Sequence, residues 1–79
     1  MRRSAGRFIA DVHARGYHLR LISEMVPAGC TAMVYDLKAQ KVLFQELAEN
    51  LDDSKAKAEE FAKALVSGRP TILWQRITT

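Results

Sequence analysis

The segment from Asn50 to Gly68 carries the signals of one complete amphipathic helix. Asp52 provides an acidic N-cap, because its carboxylate can accept the free amide protons of the first turn and favours the positive end of the helix dipole. Apolar side chains then recur at three- and four-residue steps, and Gly68 ends the pattern. The residues of this apolar stripe are Ala58, Phe61, Ala62 and Leu65. The sequence therefore predicts a helix from Asp52 to Ser67 that packs against a sheet.

Three strand-like segments precede this helix. From Tyr17, apolar and polar residues alternate with the two-residue period of a half-buried strand, until Pro27-Ala28-Gly29 forms a turn. Cys30 to Leu37 is apolar on both sides of the pleat, which is typical of a central strand. A polar spacer leads to a third strand, Val42 to Leu47. These segments predict an antiparallel three-stranded meander with the Cys30 to Leu37 strand in the middle.

The N-terminal segment has the spacing of a short helix. Ala5, Phe8, Ile9 and Val12 recur at helical intervals. Ser4 can cap the start of such a helix, and Gly16 can adopt the left-handed conformation at its end. The expected element order is therefore α-β-β-β-α-β, a single α+β domain over residues 1 to 79 in which residues 1 to 4 are the part most prone to disorder.

The C-terminal segment, Thr71 to Thr79, is expected to form a strand with large apolar groups on both faces. An unprotected edge strand is a template for pairing, so this strand either completes its own sheet or pairs with a second protomer. In the first case it can run parallel to the preceding strand and lie at the far edge of the sheet. Trp74, Ile72 and Leu73 are the candidate interface residues.

Chain length favours self-association. A domain of 79 residues can bury only roughly 60 to 65% of the surface of its unfolded chain. The single cysteine, Cys30, provides no internal disulfide, so a second copy or a partner is an expected source of stability. A homo-oligomer, in the simplest case a dimer, follows as the expectation. The lone cysteine and the lack of an apolar run near the roughly 20 residues of a membrane span predict a cytoplasmic protein.

Positive charge is concentrated in the N-terminal quarter, although the whole chain has a net charge of only +3. This distribution permits nucleic-acid binding without requiring it. The candidate contact residues are Arg2, Arg3, Arg7, Arg15, Lys55 and Lys57.

The expected order of a helix, three strands and a helix, over about residues 5 to 67, resembles the double-stranded RNA-binding domain. Ser54, Lys55 and Lys57 open the last helix, as lysines do in that family. The resemblance implies that Lys55 and Lys57 contact phosphates across the major groove. The sequence differs from the family pattern at Ala56, where a second consecutive lysine is usual, and in the strand that follows the helix.

The sequence predicts no catalytic, cofactor or metal site. Cys30 with His13 or His18 is the conceivable nucleophile and base, but no catalytic signature surrounds the cysteine. The two histidines lie five residues apart, which lacks the clustered ligand spacing of a structural zinc site. The four glycines stand apart, so no phosphate-binding loop is expected.

Three functional hypotheses remain. The first is a non-enzymatic interaction module that associates with itself, and the second is a nucleic-acid-binding protein. The third is an enzyme or an accessory subunit of one. The sequence favours them in that order.

Overall fold

The computed structural model describes residues 6 to 77, which form a five-stranded antiparallel sheet with one helix on one face. Arg2, Arg3 and the predicted disorder of residues 1 to 4 lie outside the described residues. The elements in chain order are β1 (Arg7–Ala14), β2 (Tyr17–Val26), β3 (Gly29–Asp36), β4 (Lys41–Ala48), α1 (Leu51–Val66) and β5 (Gln75–Ile77). Across the sheet the strands run in the order β4-β3-β2-β1-β5.

The prediction of an N-terminal helix is wrong, because this segment is strand β1, paired with β2 along its full length. Arg15 and Gly16 both have positive φ, 53° and 81°, which is the signature of a type I′ turn between two strands. The segment that shows helical spacing also shows a two-residue alternation, in which Ala10 and Val12 are buried. Pairing with β2 decides between the two periods, so the element order is β-β-β-β-α-β.

The predicted meander is confirmed as strands β2, β3 and β4, with Pro27 and Ala28 in the turn between the first two. The central strand of the whole sheet is β2 rather than the Cys30 to Leu37 strand, because β1 and β5 extend the sheet on the other side. Strand β3 nevertheless lies between two neighbours, which agrees with its apolar residues on both faces.

Strand β4 carries a bulge opposite β3. Val42 pairs with Tyr35, whereas Phe44 pairs with Val34, so Leu43 is the extra residue. The bulge places Val42 and Phe44 on opposite faces of the sheet, contrary to a strict two-residue alternation. Leu43 and Phe44 both pack against the hydrophobic core.

Helix α1 is confirmed, with ends displaced slightly from the predicted ones. Asn50, and not Asp52, is the N-cap: its side-chain oxygen accepts a hydrogen bond of 2.8 Å from the amide of Asp53. Asp52 lies within the first turn, where its charge favours the helix dipole. At the other end Ser67 takes the left-handed conformation, and Gly68 donates from its amide to the Lys63 carbonyl.

The C-terminal strand pairs within its own chain. Strand β5 is antiparallel to β1 and lies at the edge opposite β4. It therefore completes its own sheet, which was one of the two predicted alternatives. It runs in the same direction as β4, and α1 provides the connection from one edge of the sheet to the other. The strand is shorter than predicted because residues 71 to 74 lie outside the sheet pairing.

The core lies between α1 and one face of the sheet, which we call the helix-side face. Ala58, Ala62 and Val66 of the helix pack on Leu19 and Leu21 of β2, and all five are at least 98% buried. At one end of this layer the hydroxyls of Ser23 and Ser54 are buried and hydrogen-bonded to each other. Among the described residues, no element packs on the opposite face, which we call the open face.

Gly29 offers a direct test of the β2–β3 turn. Its φ is +138°, and an added Cβ would lie 3.0 Å from the carbonyl oxygen of Ala48 on β4. We expect Gly29→Ala to lower the free energy of unfolding by about 1–3 kcal/mol, measured by urea denaturation.

Gly68→Ala is the matched control for that substitution. The nearest atom to an added Cβ there is 3.8 Å away, and the backbone does not need positive φ. We expect this variant to stay within about 0.5 kcal/mol of the wild type. Equal unfolding midpoints for the two variants would contradict the strained geometry at Gly29.

Candidate functional site

The open face has an apolar row across its middle. Ile9, Ile22 and Met33 are paired neighbours on β1, β2 and β3, and each is partly exposed. Gln75 of β5 and Gln45 of β4 extend the row at its two ends. In a sheet with a single helical layer, this apolar row lies on the face that the helix leaves uncovered.

Two charged pairs flank this apolar row, one on each side along the strands. Arg7 donates to Glu24 over 3.1 Å on one side. On the other side Arg20 forms a bidentate ion pair with Asp11, with N–O distances of 2.9 and 3.1 Å. The hydrogen bond from Arg20 lowers the pKa of Asp11, and burial opposes that shift. The same bond raises the pKa of Arg20.

The charges of these two rows alternate in sign. On β1 the order along the chain is cationic Arg7, then anionic Asp11, whereas on β2 it is cationic Arg20, then anionic Glu24. The four charges sum to zero. The open face is therefore apolar at its centre and electrically balanced around it.

Exposed apolar groups continue toward the margins of the face. Val42 is 47% exposed, Leu47 62% and Leu73 73%. Beside Leu73 the surface forms a shallow depression of about 320 Å³ against Ile9, Asp11, Arg20 and Gln75. These exposed apolar groups, next to the apolar row, enlarge the apolar patch on the open face.

The predicted interface residues of the C-terminal segment separate into two environments. Trp74 packs against the core, and its indole N–H donates to Glu59 of α1 over 2.7 Å. Ile72 also packs against the core. Leu73 is the residue of the three that remains largely exposed, next to the open face.

The candidate nucleic-acid contacts do not converge on one surface. Arg7 is paired with Glu24 on the open face, and Arg15 lies at the β1–β2 turn, 3.5 Å from the carbonyl of Ser67. Lys55 and Lys57 lie on the helix, in the other layer.

Both helix lysines have partners within the chain. The ammonium of Lys55 lies 3.8 Å from the centroid of the Phe8 ring. Lys57 forms an ion pair of 3.2 Å with Glu46, a hydrogen bond that raises the pKa of Lys57. The element order expected from the resemblance to the double-stranded RNA-binding domain also changes, since strand β1 occupies the place of its first helix.

The conceivable nucleophile and its bases are far apart. Cys30 is buried on the helix-side face, opposite Met25. His18 lies on the same strand as Met25 but at the other end, roughly 20 Å away, and on the open face. Cys30 therefore cannot exchange a proton with either histidine in this fold.

The two histidines, in contrast, are direct cross-strand neighbours. His13 pairs with His18 across the β1–β2 hairpin, and their rings stack with centroids 3.8 Å apart. Asp11 lies beside them: its Oδ2 is 3.9 Å from Nε2 of His18. Sequence reasoning missed this group because it judged spacing along the chain. The available signal was Arg15-Gly16, midway between the two histidines. A two-residue turn there pairs Ala14 with Tyr17, and the next pair outward is His13 with His18.

Comparisons with models of protein families, with curated proteins and with solved structures found no match for this chain. Within residues 6 to 77, no helix is both long enough and apolar enough to cross a membrane.

Proposed function

We propose that this protein is a non-enzymatic module that associates with a second copy of itself through the open face of its sheet. The observation that carries the proposal is the pattern of that face. The apolar row Ile9–Ile22–Met33 lies between two ion pairs, and the cation is on β1 in one pair and on β2 in the other. Covering this row removes apolar surface from water, which is the main source of association free energy.

The charge pattern is complementary to itself under one particular two-fold rotation. Let the axis lie between two facing sheets and run across the strands, along the apolar row. Each strand then faces its own copy in the opposite direction, so the row of Arg7 and Glu24 lies over the partner's row of Asp11 and Arg20. Arg7 faces the carboxylate of Asp11, and Glu24 faces the guanidinium of Arg20.

This arrangement completes two closed rings of four alternating charges, one on each side of the apolar row. In each ring the ion pairs Arg7–Glu24 and Asp11–Arg20, already formed within the chains, are joined by two pairs between chains. Every charge then has two neighbours of opposite sign, which offsets the cost of removing the group from water.

A two-fold axis along the strands gives the opposite result. If that axis passes through the central strand β2, each row lies over itself, with Glu24 facing Glu24 and Arg20 facing Arg20 across the centre of the interface. Like charges in direct apposition cost several kcal/mol. For an interface centred on β2, the charge pattern therefore favours the axis that crosses the strands. This axis also keeps the strands of the two sheets close to aligned, as in other face-to-face packings.

The size of the face sets the expected strength. Five strands and three rows cover roughly 500 Å² of flat area per copy, against about 800 Å² per partner in a standard interface. Exposed Leu73 and Leu47 enlarge this area at the margins. We therefore expect a dimer that dissociates in the micromolar range.

Nucleic-acid binding is the second candidate, and the geometry gives it less support. Phosphate binding depends on cations that are free to neutralise phosphates. Arg7, Arg20 and Lys57 each form an ion pair with a carboxylate within the chain, and Lys55 lies over the Phe8 ring.

Light scattering on the purified, untagged chain tests the main proposal. We expect the mass to rise from that of one chain, 8.9 kDa, to twice that value as the concentration passes from nanomolar to tens of micromolar. A mass of one chain even at about 1 mM would overturn the proposal. A cytoplasmic location forms part of the proposal and rests on the unpaired Cys30.

A further inference from the structure

We propose that Asp11, His13 and His18 bind a divalent transition-metal ion such as Zn²⁺ at the end of the β1–β2 hairpin. One ligand atom from each of the three side chains lies within 4.8 Å of the other two. This site lies beyond the apolar row, since His13 and His18 pair near the turn, two pairs beyond Asp11 and Arg20.

The hairpin geometry explains why the two imidazoles are so close. In a two-residue hairpin, Ala14 and Tyr17 next to the turn exchange both backbone hydrogen bonds. The next pair outward, His13 and His18, is a non-hydrogen-bonded pair. Side chains at such a pair approach most closely, which agrees with the stacked rings of His13 and His18. Asp11 lies two residues before His13 on β1, and its side chain is therefore on the same face of the sheet.

The ligand types indicate the class of ion. Two imidazoles and one carboxylate suit zinc, copper and nickel, whereas calcium and magnesium require mainly oxygen ligands. Three protein ligands leave further coordination positions to water, as in open zinc sites. The site lies at the surface, with the side chains of His18 and Asp11 34% and 36% exposed, so an ion can reach it from solvent.

One ring nitrogen independently points to a ligand. Nε2 of His18 is shielded from solvent and has no hydrogen-bond partner among residues 6 to 77, although it is directed toward Asp11. A polar atom buried without a partner costs about 1–3 kcal/mol. A metal ion held jointly with the Asp11 carboxylate would give this nitrogen the partner that it lacks.

Binding requires small side-chain movements. Tetrahedral coordination with bonds near 2.0–2.1 Å places ligand atoms roughly 3.3 Å apart, closer than the present limit of 4.8 Å. The stacked rings must rotate so that their lone pairs converge. Arg20 competes for Asp11, because its Nη2 donates to the same Oδ2 that faces His18. We therefore expect moderate affinity, on the order of 10 μM.

Calorimetric titration of the untagged chain with zinc chloride tests this site, with magnesium chloride as the control ion. We expect one zinc ion per chain and no magnesium binding. His13→Ala and His18→Ala should each weaken zinc binding roughly tenfold or more. Arg20→Gln, which removes the competitor for Asp11, should tighten binding several-fold. Zinc should also shift the ring NMR signals of both histidines in the wild-type chain.

Three controls separate this site from other sources of zinc binding. Cys30→Ala removes the buried thiol, and Asp52→Asn removes an exposed carboxylate on α1; both should leave the affinity unchanged. Ile22→Lys keeps all three ligands but disrupts the apolar row, and in the proposed dimer Asp11 also faces Arg7 of the second copy. Zinc binding at least as tight as in the wild-type chain therefore separates the metal site from the proposed dimer. The absence of saturable zinc binding, or binding indifferent to both histidine substitutions, would overturn the proposal.

Discussion

Ile22→Lys is expected to convert the proposed dimer into a monomer at every concentration that can be measured. Ile22 lies at the centre of the open face, between Ile9 and Met33, on the central strand of the sheet. In the proposed dimer the substituted ammonium would lie on the two-fold axis and face its own copy in an apolar environment. The combined loss of apolar contact and desolvation of two cations should raise the dissociation constant roughly 100-fold or more.

The fold itself should tolerate this change. Ile22 is partly exposed, and the lysine stem can lie along the sheet while its ammonium reaches water in the monomer. We expect a decrease of about 1 kcal/mol in the free energy of unfolding. Light scattering then reports the mass, and circular dichroism at the same concentration reports whether the sheet is intact.

Met25→Lys is the matched control. Met25 lies on the same strand, but on the helix-side face, and it is 47% exposed. The substitution introduces the same charge at an apolar position of the same strand, yet it leaves the open face unchanged. We expect the mass of this variant to equal that of the wild type. If both variants lost association equally, charge on β2 rather than the apolar row would be the cause.

The sequence predicted the elements whose signals are local. Helix α1 follows from its apolar stripe and from capping chemistry, and the meander follows from alternation interrupted by Pro27 to Gly29. The N-terminal strand was missed because Phe8, Ile9 and Val12 follow a helical period, while Phe8, Ala10 and Val12 follow a two-residue period in the same segment. Only pairing with β2 across the hairpin, which a single segment's pattern does not show, separates these two possibilities.

The open face could not be derived from the sequence once β1 had been taken for a helix. Arg7 and Asp11 form their ion pairs with Glu24 and Arg20 only when β1 and β2 pair in this register. The type I′ turn at Arg15-Gly16 sets that register. The expectation of a partner-binding surface came from chain length and apolar content alone. It therefore named Trp74, which the structure instead packs against the helix layer.

The charge pattern makes the proposed axis testable with two double variants. The first carries Asp11→Arg with Arg20→Glu, and the second carries Arg7→Glu with Glu24→Arg. Each exchange reverses one ion pair, so the attraction within the chain is kept and folding should be preserved. Under the proposed axis, however, each variant places like charges opposite each other when it meets its own copy. Each should therefore be monomeric alone, with a dissociation constant raised roughly 100-fold or more.

Mixing the two double variants should restore association. The reversed row of one chain then faces the reversed row of the other, and the two unreversed rows face each other, so all four interchain pairs are again attractive. Native mass spectrometry of the mixture should show one chain of each variant per dimer and few homodimers. Under an axis along the strands each row lies over itself, so reversing the Asp11–Arg20 pair leaves the balance of like and unlike contacts unchanged, and the first variant alone would then associate no less than the wild type. That result, or a mixture that stayed monomeric, would contradict the proposed geometry, because charge complementarity across the apolar row is what selects it.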